Sequence, residues 1–126
     1  MIPSSLEVGE LSASSSQSGE IVNLAFAGNA DGRSDKALEK FLHELHAEIV
    51  TLPVILVEVD IRSLEFMNSS CFKGFITWIV QVRRMKRPSR YRIRFLATSK
   101  HPWQKRSLHA ISFFGGAELI EVVTGD

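Results

Sequence analysis

Val57-Glu58-Val59-Asp60-Ile61-Arg62-Ser63-Leu64-Glu65-Phe66-Met67-Asn68-Ser69-Ser70-Cys71-Phe72-Lys73-Gly74 is the stretch whose pattern decides the fold. It follows Pro53-Val54-Ile55-Leu56, and the run from Val54 to Asp60 is β-branched enough to be a central strand. A short connection, Ile61 to Met67, carries the apolar Leu64 and Phe66. Asn68 or Ser69 then serves as the N-cap of a helix running to about Met85. Ser70 is left in the first turn with its hydroxyl near solvent. Unpaired N–H groups and the positive end of the helix dipole favour an oxyanion there.

Outward from this stretch the chain alternates strands and helices. Leu38, Phe41, Leu42, Leu45 and Ile49 follow a Ser34 N-cap at helical spacing and predict an amphipathic helix over about 35–50. Upstream, Leu6, Val8 and Leu11 alternate as a half-buried strand. The stretch 12–19 (Ser-Ala-Ser-Ser-Ser-Gln-Ser-Gly) reads as a flexible hairpin turn, and Glu20 to Ala27 as a second strand. Downstream, Arg90 to Thr98 alternates strictly, with Tyr91, Ile93 and Phe95 on one face. Pro102 opens a third helix, Trp103 to Phe114, which Gly115-Gly116 closes, and Leu119 to Val123 is a last strand. The expected order is ββαβαβαβ in one α/β domain spanning 1–126, with 1–19 as its first strand and Ser-rich turn. The sheet should be mixed and mostly parallel. Asn23, Glu58, Arg92, Arg94 and Glu121 keep one side of the strands polar, so the helices should lie mainly on one face and leave the other wet.

The chain has 126 residues, 44% hydrophobic and 23% charged, which fits one soluble globular domain and excludes a disordered or collagen-like segment. One cysteine excludes a disulfide scaffold, and no apolar run is long enough for a transmembrane helix. The first residues, Met1-Ile2-Pro3-Ser4-Ser5, lack the pattern of a secretory signal, so a cytoplasmic location is expected. The net charge of +1 hides a polarised distribution: residues 1–65 hold 11 acids and 4 bases, whereas residues 66–117 hold 11 bases and no acid. That acid-free window contains Ser70 and should tolerate a dianion well.

The central stretch resembles the STAS domain, the family of bacterial anti-sigma-factor antagonists, in which a strand ending in an acid leads through an apolar pair to Asp-Ser and a helix. Asp60 matches the acid, Phe66-Met67 the apolar pair, and Ser70 the phosphoacceptor; Asn68 stands where Asp is usual and Cys71 where Gly is usual. The order of elements agrees over nearly the whole chain. Pro102-Trp103-Gln104 and Ser107-Leu108 look like a branch carrying Trp-Gln at the start of the last long helix. The resemblance implies a STAS-like fold and a non-catalytic, protein-binding regulator of transcription. Its partner would be an anti-sigma factor or similar Ser/Thr-kinase switch protein, and phosphorylation of Ser70 would be the switch. A capping role alone also accounts for a serine at this position.

Ser70, Gly74, Thr77 and Gln81 fall in one lane of the second helix, with Phe72, Phe75, Ile76, Ile79 and Val82 opposite as core. The expected partner surface is Asn68, Ser69, Cys71, Lys73, Gly74, Thr77 and Gln81, with Trp78 at its boundary as a possible exposed anchor. An ordinary solvated stripe is the plainer alternative. Cys71 at a helix start invites a lowered thiol pKa, although a lone cysteine is more often a packing residue. Residues 83–94 hold seven bases in twelve positions, a cluster suited to nucleic acid or an anionic surface. Helix C-terminal cations and cross-strand pairing of Arg92 and Arg94 with Glu58 or Glu121 account for the same residues. His43 and His46 have metal-compatible spacing but no completing cluster. No catalytic residue, metal or cofactor is expected, nor a membrane or nucleic-acid partner. The alternatives to a phosphorylation switch are a phosphorylation-independent STAS scaffold, which Asn68 and Cys71 favour, and a basic nucleic-acid or nucleotide-binding domain.

Overall fold

A computed structural model describes residues 5–125. One six-stranded sheet carries its strands in chain order: β1 (Ser5–Val8), β2 (Leu11–Ser18), β3 (Ile21–Ala30), β4 (Leu56–Met67), β5 (Arg92–Thr98) and β6 (Ile120–Gly125). The first three strands pair antiparallel, and β3 to β6 pair parallel through α1 (Asp35–Ile49), α2 (Ser69–Arg83) and α3 (Pro102–Gly115). The α/β class and mostly parallel sheet are as expected.

Two segments differ from the expectation. The Ser-rich stretch is a strand, paired with β3 from Leu11↔Gly28 to Ser18↔Ile21. The chain reverses instead at two tight turns, where Gly9 (φ 58°) and Gly19 (φ 62°) adopt a backbone that L side chains resist. Serine's indifferent β-propensity is overridden because Leu11 and Ala13 alternate into the core and every residue finds a partner across the ladder. Ile61 to Met67 is also strand, not a connection: β4 runs on beside β3 as far as Ala30↔Met67, with irregularities between Ala25 and Ala27 and between Gly28 and Asn29.

All three helices cover one face. Val22, Leu24, Phe26, Val57, Val59, Ile93 and Phe95 pack there against Leu38, Leu42, Leu45, Phe75, Ile79, Leu108 and Ile111. Phe75 sits edge-on between Phe26 (ring centroids 5.4 Å apart) and Phe95 (6.3 Å). Across the opposite, wet face the register aligns Ser16, Asn23, Glu58, Arg94 and Glu121 in one row. Arg94 bonds Glu121 at 2.7 Å and Glu58 at 3.2 Å, the pairing anticipated from alternation. Arg92 does otherwise, donating through Nε to the Glu118 carbonyl at 3.1 Å.

Trp78 is not an exposed anchor. It is fully buried, and its Nε1–H donates to Tyr91 Oη at 2.8 Å. The Tyr91 oxygen lies 2.8 Å from His46 Nδ1, and since it already accepts from Trp78, its own proton is free for His46 in the tautomer protonated at Nε2. Burial pushes the Tyr91 phenol far up and, aided by the charge of His43, holds His46 below its ordinary value. This chain of donors ties α1 to α2 and to the residue that leads into β5, and it spends His46 on structure.

A histidine with a depressed folded pKa is bound neutral, so the unfolded chain takes up its proton first as pH falls. Stability should therefore be full above the unfolded value of about 6.5 and decline below it. Urea unfolding at about pH 7.5 and about pH 5.5 should show that decline, and His46→Asn should remove most of it. A parent protein with no slope, or an upward slope toward acid, would contradict the network.

Candidate functional site

The start of α2 is built from the end of β4. The Asn68 N–H donates to the Ala30 carbonyl at 2.8 Å, which closes the β3–β4 ladder, and its backbone (φ −80°, ψ 171°) turns the chain into the helix. Asn68 Oδ1 accepts from the Cys71 N–H at 3.0 Å and from the Ser70 hydroxyl at 3.2 Å. Asn68 is thus the N-cap, and its carboxamide holds the candidate acceptor serine. Ser69 is exposed and Ser70 half-buried. The N–H groups of these two first-turn residues have no intrahelical acceptor.

Cys71 does not belong to the surface. It is buried, its Sγ–H donates to the Asp31 carbonyl at 3.4 Å, and burial, with the charges of Asp35 and Asp31, pushes the thiol up to about 11. A reactive thiolate is therefore disfavoured, and Cys71 is the packing residue that a lone cysteine more often is. The same contacts correct the expectation of an acid-free surround. Asp31 and Asp35 come from the β3–α1 loop and the start of α1, outside the basic window in sequence but beside Cys71 in space. Arg33 bonds Asp31 at 2.9 Å, holds its carboxyl below the usual range, and offsets its charge.

The predicted lane divides. Gly74, Thr77 and Gln81, with the edge of Trp78, form one wall of a groove of about 590 Å³ between α1 and α2. Lys36, Glu39, Lys40 and His43 form the other wall. Gly74 is buried at the floor, Thr77 is exposed with its hydroxyl donating to the Lys73 carbonyl at 3.0 Å, and Gln81 is half-buried. Lys73 is exposed one turn beyond Ser70. Phe72 and Ile76, expected in the core, are only half-buried because Cys71 and Trp78 take the inward positions. Asn68 and Ser69 face a second, shallow cleft lined by Met67, Phe72, Arg106, Ser107 and Ala110. Lys36, Lys40 and Arg106 were missed from sequence because they reach the site from other helices.

The far half of β4 is fixed by an unusual device. Pairing with β5 ends at Asp60↔Leu96, so beyond it β4 has lost one neighbour. Gln104, fully buried in the first turn of α3, replaces that neighbour: its Nε2 donates to the Ile61 carbonyl at 2.7 Å and the Leu64 carbonyl at 3.0 Å. Its Oε1 accepts from the Thr98 N–H at 2.9 Å, and Trp103 Nε1–H donates to the Glu65 carbonyl at 2.8 Å. The Trp-Gln pair is therefore a clamp from α3 onto the residues that lead to Ser70.

No family model and no curated protein matches this sequence. The crystal structure of an anti-sigma factor antagonist from Mycobacterium paratuberculosis matches in fold, with a TM-score of 0.63 over 88% of this chain and 85% of that one, at 13% sequence identity. The fold is thus the STAS-like one. Among the described residues, no group of three or more His, Cys, Asp and Glu side chains could hold a metal ion, and no helix is long and apolar enough to cross a membrane.

Gln104→Ala should leave one N–H and two carbonyls buried without partners, at about 1 kcal/mol or more each. Urea unfolding should register a loss of about 3 kcal/mol or more in total. A loss under about 1 kcal/mol would mean that water or a neighbour replaces the amide and that the clamp is dispensable.

Proposed function

We propose that this chain is a non-catalytic regulatory module that acts as an anti-sigma-factor antagonist. It binds an anti-sigma factor or related Ser/Thr-kinase switch protein through the start of α2 and the groove beside it. The contact residues are Asn68, Ser69, Lys73, Gly74, Thr77 and Gln81, with Cys71 beneath them as packing, and the switch is phosphorylation of Ser70. The observation that carries this reading is the Ser70 hydroxyl in the first turn of α2, half-buried and hydrogen-bonded to Asn68, at the end of a clamped strand. The fold shared with an anti-sigma factor antagonist supports it.

Transfer of the ATP γ-phosphoryl group to Ser70 Oγ, with loss of the hydroxyl proton and release of ADP, would break the bond to Asn68. It would add close to two negative charges at the helix start. The unpaired first-turn N–H groups and the cations Lys73, Lys36 and Arg106 favour such an anion, while Asp31 and Asp35 oppose it. A partner fitted to the neutral hydroxyl meets a dianion and dissociates.

A second reading is a scaffold that binds its partner without phosphorylation. The Ser70–Asn68 bond favours it, because the hydroxyl already has a structural use.

Incubation with the cognate kinase and ATP should add about 80 Da to the intact mass of the parent and nothing to Ser70→Ala. Ser70→Asp should bind the partner at least about tenfold more weakly. An unmodified parent, together with a Ser70→Asp variant that binds as the parent does, would overturn the switch and leave the scaffold.

A further inference from the structure

The pole opposite Ser70 collects features that lie far apart in the chain. All three helices end there and β3, β4, β5 and β6 begin there. Backbone bonds join these ends into one surface: Ile55 N–H to the Glu20 carbonyl (2.8 Å), Arg92 N–H to the Ile55 carbonyl (2.9 Å), and Ile93 N–H to the Leu119 carbonyl (2.9 Å). Side chains extend it, since Arg87 pairs with Glu118 at 2.7 Å and Arg83 donates to the Phe114 carbonyl at 2.9 Å.

Large aliphatic side chains stand in water on this pole. Ile55 is 59% exposed, Val50 48% and Ile21 37%, and Ile21 lies in register with Leu56 and then Arg92 on the wet face. Around them are six cations, Arg83, Arg84, Lys86, Arg87, Arg90 and Arg92, against the carboxylates Glu20, Glu48 and Glu118. Capping accounts for part of the cluster: Arg90 donates to the Arg83 and Met85 carbonyls at the end of α2. It does not account for Arg84 and Lys86, which are exposed and make no ion pair among the described residues.

We propose that this pole binds the surface of an anionic lipid bilayer, with Arg84, Lys86 and Arg92 at the headgroups and Ile55 and Val50 entering the interface. Charge complementarity selects an anionic surface. Ile55 and Val50, which offer no face for a base to stack on, favour lipid over nucleic acid, and Phe113 (73% exposed) and Phe114 at the end of α3 suit a bilayer interface as well as they would suit base stacking. In the chain Ile21, Val50 and Ile55 lie far from the arginines of 83–92, and the strand starts and helix ends bring them to the same pole. This revises the expectation that no membrane is a partner. The inference is independent of the Ser70 switch: α2, about 22 Å long, separates the two ends, so a docked molecule presents Ser70 away from the lipid.

Cosedimentation of the full chain with vesicles tests the inference. Equimolar phosphatidylglycerol–phosphatidylcholine vesicles should bind the chain, pure phosphatidylcholine vesicles should not, and added salt should release it. Arg84→Glu with Lys86→Glu should weaken binding by about thirtyfold or more, and Ile55→Ser by about fivefold or more, both with unchanged circular dichroism. No binding to the anionic vesicles, or binding that survives the charge reversal, would overturn it. An unaffected Ile55→Ser variant, or displacement of the vesicles by an equal mass of short DNA duplex, would overturn it in favour of a nucleic-acid surface.

Discussion

The carboxamide of Gln104 makes three hydrogen bonds in a fully buried position, to the Ile61 and Leu64 carbonyls and from the Thr98 N–H. Each of those backbone groups lies where regular pairing stops. Thr98 ends β5, and Ile61 and Leu64 lie in the part of β4 that β5 no longer reaches. A buried amide with both its oxygen and its nitrogen engaged in defined directions fixes position in a way that apolar packing does not. The rest of the site inherits this geometry, from β4 through the Asn68 cap to the first turn of α2.

Below that clamp, the sheet separates a covered face from an open one. The helices pack on Val22, Leu24, Phe26, Val59 and Phe95, while the Glu58–Arg94–Glu121 row faces water. The division also orders the ends of the molecule. The parallel strands β3 to β6 and the helices between them place the starts of those strands and the helix ends at one pole and the strand ends and helix starts at the other. Ser70 occupies the second pole, the groove runs from near it along α1 and α2, and the arginines and exposed aliphatics occupy the first.

The helices were legible because their periodicity is long and regular: Leu38, Phe41, Leu42, Leu45 and Ile49 all prove buried. Alternation placed Tyr91, Ile93 and Phe95 in the core and paired Arg94 with Glu58 and Glu121. The Ser-rich strand was not legible, since only Leu11 and Ala13 carry its pattern and the ladder to β3 does the rest. Ile61 to Met67 was missed because irregular pairing and the consecutive polar Arg62 and Ser63, which break the alternation, hide a strand held by a distant glutamine. At the site, the Asn68–Ser70 start of α2 was found. Cys71 was assigned to the surface and Trp78 to its boundary, and both are buried, because a helix that packs against two neighbours buries more than one stripe. The Trp103-Gln104 pair stood out only by resemblance, and its role lies in contacts with backbone that no side-chain pattern encodes.

The central claim is that α3, through Gln104, sets the position of the strand end that presents Ser70. Native-state hydrogen exchange of the parent and of Gln104→Ala tests it most directly. The Thr98 amide of the parent should be protected like the central strands. In the variant, exchange should accelerate at Thr98 and from Leu64 to Cys71 well beyond its change in β3 or in α1. A Thr98 amide that exchanges freely in the parent, or a uniform acceleration across the sheet, would contradict the account.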